Sequence, residues 1–191
     1  MSEPKLISPL LDNFAMGDAI SDCNGIRICP AMSQENGEKY IIKIISNPAT
    51  PTQLDALVLS GAYADREQAL AYYESVSKDI ISETEILNRL SKLDGFVPCA
   101  GAQIVKAEDD SGYDVYLLSP YRVSLERYWA KEPMTHLSAL NLGLDLCSAL
   151  TVCRRYLGTL QDKCEYRCNH KLHHPSQSYP ITVKSALVLT K

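Results

Sequence analysis

Lys39-Tyr40-Ile41-Ile42-Lys43-Ile44-Ile45 is the stretch on which the reading of this sequence turns. Apart from its two lysines the run is β-branched or aromatic, the composition that fits a pleated, half-buried strand. Lys43 is the one charge inside it. A buried ammonium without a partner costs on the order of several kcal/mol. Lys43 is therefore either an edge-strand lysine whose long stem carries its head to water, or a group answered by a carboxylate on a neighbouring element.

Upstream, two short β-type stretches between Phe14 and Met32 flank the turn Ser21-Asp22-Cys23-Asn24-Gly25. Asn-Gly is the strongest short hairpin signal. A second turn, Gln34 to Glu38, leads into the lysine strand. Downstream, Asn47-Pro48-Ala49-Thr50-Pro51-Thr52 breaks that strand, and a short helix is expected over 53–60, stopped by Gly61. Asp65 with Gln68 three residues on is a capping-box start. The helix it opens runs unbroken to Leu93 and ends at Asp94-Gly95. Leu70, Tyr73, Val76, Ile80, Glu83, Leu87 and Leu90 recur at three- and four-residue steps, so the spacing predicts that they share one face. Glu83 is the carboxylate on that face. Glu85 is its rival on another face, and a solvated helix charge is the plain alternative for either.

Two further strands are expected at 102–107 and 114–118, around the polar hairpin Glu108-Asp109-Asp110-Ser111-Gly112. Then come a short helix over 125–131, a stop at Pro133, and a long helix from a Thr135 cap to about Tyr156. Strands, helix, strands and helices in that order predict an α+β fold with a mostly antiparallel sheet and one long helix. The chain divides on this reading into a loosely attached lead-in (1–13), a lobe (14–121), helices at the start of a second lobe (122–157) and an irregular tail (158–191).

The 191 residues suit one domain of ordinary size; 46% are apolar and 22% charged, the values of a soluble globular protein. A formal net charge of −4 with no clustered basic face excludes a broad electrostatic grip on nucleic acid. No membrane partner is expected. The most apolar segment, Leu137 to Val152, is interrupted by Asn141 and Asp145 and reads as a buried helix. The N-terminus has no basic stretch followed by an apolar one, so a cytoplasmic location is expected. Seven cysteines, an odd and scattered set, are read as reduced thiols.

Lys43 on its strand and Glu83 on the next helix resemble the eukaryotic-type protein kinase family, of serine/threonine type. Tyr40-Ile41-Ile42-Lys43 is similar to that family's V-A-I-K strand, and Glu83 followed by Ile86-Leu87 to its E-x-x-I-L helix. Tyr116 to Tyr121 resembles the fifth strand and hinge. Ser124-Leu125-Glu126-Arg127-Tyr128 looks like the start of the helix after the hinge, and the Thr135–Tyr156 helix like the one before the catalytic loop. The resemblance covers residues 14–157. It implies a kinase-like nucleotide-binding lobe that takes ATP, with magnesium only alongside ATP. Lys43 then contacts phosphate, Glu83 positions it, Pro120 and Tyr121 face the adenine edge through their backbone, Gly25 lies in the phosphate loop, and Ser119 guards the rear of the pocket. Pro120 has no N–H, so a contact there uses a carbonyl or a neighbour's amide.

Two departures limit that implication. The hairpin Ile20-Ser21-Asp22-Cys23-Asn24-Gly25 keeps only Gly25 of a G-x-G-x-x-G loop, and Asp22 puts a negative charge where phosphate would sit. No catalytic loop follows the long helix: counting from Asp162, the positions for the family's Lys and Asn hold Cys164 and Arg167, and there is no D-F-G. No catalytic and no metal-holding residue is assigned. The expectation is a truncated kinase that is inactive by itself, its tail reading like an alternative or out-of-frame ending. The other reading is a non-catalytic kinase-like module that binds a protein partner, for which the stretch from Pro48 to Asp65 offers a surface. An uncovered apolar face on the Thr135–Tyr156 helix is expected either way. Cys164, Cys168, His170, His173 and His174 are too cramped for a common zinc finger, and a disordered tail is preferred.

Overall fold

The structure is a computed structural model, and it describes residues 10–92, 96–107 and 109–168, with Leu11 and 156–168 as backbone alone. The expected lead-in before Leu10 and the zinc-type cluster from His170 onward lie outside the described residues.

The chain is α+β. In order it forms α1 (Leu10–Asn13), β1 (Phe14–Met16), β2 (Ser21–Cys23), β3 (Ile26–Ser33), β4 (Lys39–Asn47), α2 (Pro51–Leu59), α3 (Arg66–Leu90), β5 (Gly101–Lys106), β6 (Tyr113–Pro120), α4 (Leu125–Trp129) and α5 (His136–Cys168). It divides into two compact units, residues 1–89 with 98–121 and residues 90–97 with 122–191.

All strand pairings are antiparallel, in the order β1-β3-β4-β6-β5, with β2 also on β3. β1 and β2 pair successive parts of β3 and together make one broken edge. Gly17 N–H donates to the Pro30 carbonyl and Ile20 N–H to the Ile28 carbonyl across the break. The β2–β3 hairpin turns on Asn24 (φ 52°) and Gly25 (φ 74°), the paired positive angles of a type I′ turn. Gly25 has a packing reason as well: a Cβ there would stand 2.5 Å from Ala49 Cβ.

Period-two alternation divides the sheet into two faces. One carries Cys29, Ala31, Ile42, Ile44, Tyr116 and Leu118, and with Leu10 of α1 they form the main core. Leu10 thus belongs to the core and not to a loosely attached lead-in, a correction that follows from its burial against the sheet. The other face carries Lys43, and α3 is anchored on it. Asn47 Nδ2 donates to Ser77 Oγ (3.2 Å), and Tyr113 OH to Glu74 Oε2 (3.4 Å). Leu54 of α2, Ala69 and Tyr73 of α3, and Tyr113 pack into a second core there.

The caps hold as expected: Gln68 N–H donates to Asp65 Oδ1 (2.8 Å) and Ser138 N–H to Thr135 Oγ1 (3.1 Å). Two extents differ. β6 continues through Ser119 and Pro120, because both stay in register with Ile41 and Tyr40 of β4. α5 does not stop near Tyr156 but runs on to Cys168. Gly158 costs a helix only about 1 kcal/mol, and no proline interrupts the next ten residues.

Candidate functional site

The site is built on β4. Its register sets Lys43 between Ile28 of β3 and Leu117 of β6, and sets Ile41 between Pro30 and Ser119. Directly paired residues point the same way, so Ile28, Pro30, Ile41, Lys43, Leu117 and Ser119 share one face. That face is an apolar floor bearing one ammonium and one hydroxyl. Burial pushes the Lys43 ammonium below its ordinary pKa of 10.5.

α3 lies over this face. Its far end is tied to the chain before β5: Asn88 Oδ1 accepts from Cys99 N–H (2.7 Å), and Ala100 N–H donates to the Leu118 carbonyl (2.7 Å). Leu118 pairs with Ile42, so the last turns of α3 come level with the Lys43 segment of β4. The face that α3 buries overlaps the expected one: Tyr73 and Leu90 are buried and Leu70, Val76, Ile80 and Leu87 half-buried, but it also takes in Ala69, Ser77 and Thr84, and Glu83 is exposed. Ser77 and Thr84 are seven residues apart and nearly in line. Glu83 is turned about 100° from Thr84. The periodicity offered two stripes within one helical turn of each other. The bond from Asn47 to Ser77 ties the small side chains to the strand, and the larger apolar ones lie beside them.

Lys43 and Glu83 are therefore on the same side of the sheet but do not close on each other: among the described residues, the ion pairs do not include that one. The shifts agree with the geometry. Burial, then the like charge of Asp79 one turn back, raise the Glu83 carboxyl, whereas an ion pair with Lys43 would lower it and raise the lysine. Glu83 is solvent-exposed as a residue, so its shift is screened and modest in energy.

The other expected site residues take definite places. Ser119 stands on the Lys43 face. Pro120 ends β6 opposite Tyr40, and Tyr121 N–H donates to the Lys39 carbonyl (3.0 Å), so that amide is engaged by the sheet. Gly25 lies at the hairpin tip, its open side filled by Ala49. Asp22 requires a correction. It pairs with Arg27, whose Nε donates to Asp22 Oδ2 (3.0 Å), and Arg27 is in register with Ile44. Asp22 therefore belongs to the face opposite Lys43 and adds no charge to the candidate site. The cause is the alternation itself, which a reading of the hairpin as one loop had hidden.

Among the described residues, no three of His, Cys, Asp and Glu stand close enough together to hold a metal ion. Sequence reasoning missed Asn47, Ser77 and Thr84, which fix the rotation of α3. The available signal was the run of small residues Ala69, Ser77 and Thr84 at multiples of a helical turn.

No family model matches the sequence, and none of the curated proteins does. Among solved structures the chain is similar to that of Rad53 1–466 in complex with AMP-PNP, at 12% sequence identity and a TM-score of 0.45. The match covers 80% of this chain, which spans 32% of the length of that one.

Proposed function

We propose that this chain is a nucleotide-gripping lobe of serine/threonine-protein-kinase type that binds ATP and transfers no phosphate by itself. The observation that carries the reading is Lys43: an ammonium on the middle strand of an antiparallel sheet, on an apolar floor, beneath a long helix. Such a floor accommodates a flat base, and the ammonium supplies the charge that a phosphate needs. Ser119 and the backbone near Pro120 border the same face. The absence of transfer rests on α5: the stretch that ought to be a catalytic loop after the long helix is helical through Cys168, and it carries Cys164 and Arg167 where Lys and Asn are needed. Magnesium enters this reading only as a companion of bound ATP.

The test is thermal denaturation with ATP, with and without magnesium, in the native chain and in Lys43→Met. ATP is expected to raise the melting temperature of the native chain and to leave the variant unmoved. An equal shift in both removes Lys43 from the reading, and no shift in either removes nucleotide binding. A phosphotransfer assay is expected to be blank; any incorporation that Lys43→Met abolishes overturns the inactive reading.

A second reading, a kinase-like module that binds a protein partner without nucleotide, is favoured by Glu83 facing solvent and by Ala49 filling the open side of Gly25. It predicts that ATP leaves the melting temperature of both the native chain and Lys43→Met unmoved.

A further inference from the structure

α5 carries two apolar faces. Leu142, Leu146, Ala149 and Cys153, at steps of four, three and four, are buried or half-buried. About half a turn away around the helix, Leu137, Leu140 and Leu144 are 68%, 67% and 66% exposed, and Met134, just before the helix, is 43% exposed. The segment expected to be a buried helix is thus half-buried on one side, with Ala149 alone enclosed, and exposed on the other. Ser148 and Thr151 extend the outer stripe without charge, and Asp145 lies to its side.

Four such side chains expose on the order of 400 Å² of apolar surface, a size at which a patch on a soluble chain is often an interaction site. Protein interfaces are a little over half apolar, so two such patches with their polar margins would bury roughly 1,400 Å² together, within the span of a specific complex. An identical patch on a second copy is enough to reach that size. The stripe is also self-complementary. Its steps of three and four are nearly symmetric about Leu140, so an antiparallel copy sets Leu137 against Leu144 of the partner subunit, and Leu140 against Leu140 of the partner subunit. No like charges meet along it. Antiparallel packing also opposes the two helix dipoles. This is the isologous contact that a closed dimer requires.

We propose that the Leu137–Leu140–Leu144 face of α5 is a dimerisation surface on which a second copy of the chain docks its own α5 antiparallel. The pairing needs no nucleotide. A bilayer is the competing occupant, since His136–Arg155 is 20 residues long with mean hydropathy 1.3, enough by length and composition to cross a membrane. Insertion would bury Asp145, which is exposed in the chain, in lipid.

The experiment is sedimentation velocity and light scattering on the 191-residue chain from about 1 to 100 µM, with Leu140→Glu, the milder Leu140→Asn, and Leu59→Glu as a control on α2. The native chain is expected to reach a dimer mass. Leu140→Glu sets two carboxylates face to face and is expected to raise the dissociation constant about a hundredfold or more, with its circular dichroism unchanged. Leu140→Asn weakens the dimer less and gives the same reading should the glutamate disturb folding. Leu59→Glu leaves the dimer intact. The proposal is overturned by a monomer or polydisperse aggregates across the range, by a dimer that survives both Leu140 variants, by equal loss in Leu59→Glu, or by a chain that stays monomeric in buffer and floats with phosphatidylcholine–phosphatidylserine vesicles.

Discussion

β4 and α5 break the same rule in opposite directions. β4 places an ammonium among isoleucines, and α5 places leucines in water. Apolar residues inside and charges outside need no explanation, whereas a buried charge or an exposed apolar stripe does. In β4 the exception is one residue with the alternation intact around it, so Ile42 and Ile44 still form the core while Lys43 sits on the other face. In α5 the exception is a whole stripe, opposite a second one of which only Ala149 is buried and Leu142, Leu146 and Cys153 are half-buried. A single half-buried charge suits a small ligand with a charge of its own; a stripe of leucines suits another protein surface.

The sharpest way to break that comparison is to move the core side of β4. Ile42→Ala is expected to cost about 2–5 kcal/mol, because Ile42 is wholly enclosed and its neighbours on three strands cannot collapse into the space. Urea denaturation measures it, and a loss below about 1 kcal/mol would mean that the core lies elsewhere.

Next in size, Ser77→Ala removes the acceptor of the Asn47 amide at a site with no solvent access. The expected cost is about 1–3 kcal/mol. The same variant frees α3 to rotate, so it sharpens the account of why Glu83 faces out. Combined with Thr84→Ala, it is expected to make the stability of the chain more sensitive to Glu83→Gln than in the native background.

Lys43→Met replaces a half-buried ammonium, whose pKa burial lowers, with an apolar chain of similar length. Its pH signature is telling. Below the lowered pKa of Lys43 both states hold the proton and the burial cost is present in full. As pH rises from there towards 10.5, the unfolded chain holds more proton than the folded one, and stability gains. The native chain is therefore expected to gain on Lys43→Met as the solution becomes alkaline. A parallel pair of profiles would mean that Lys43 is not desolvated.

Glu83→Gln tests the opposite sign with a smaller effect. Above the raised pKa of Glu83 the carboxylate is ionised in both states and its cost is present; as pH falls through that value towards 4.5 the folded chain takes the proton first and the cost is relieved. The variant is expected to lose this gain on acidification and to melt slightly higher at neutral pH. An ion pair with Lys43 would reverse both signs. Smallest of all, Leu140→Asn measured in dilute solution is expected to change monomer stability by no more than about 0.5 kcal/mol, as for exposed positions generally.

The sequence alone determined the local structure. β-branched runs stiffen into strands, Asn24-Gly25 accepts the positive φ angles that few other pairs tolerate, and Asp65 and Thr135 supply acceptors to orphan amides, all within a few residues of chain. It also marked Lys43 as the residue needing an explanation. Only the tertiary structure decided which stripe of α3 turns inward and which side of α5 is left in water. Each of those is a choice between rotations or faces that differ little in local preference. They are settled by contacts between segments distant in sequence, Asn47 with Ser77 and Leu10 with the sheet, whose energies no single stretch contains.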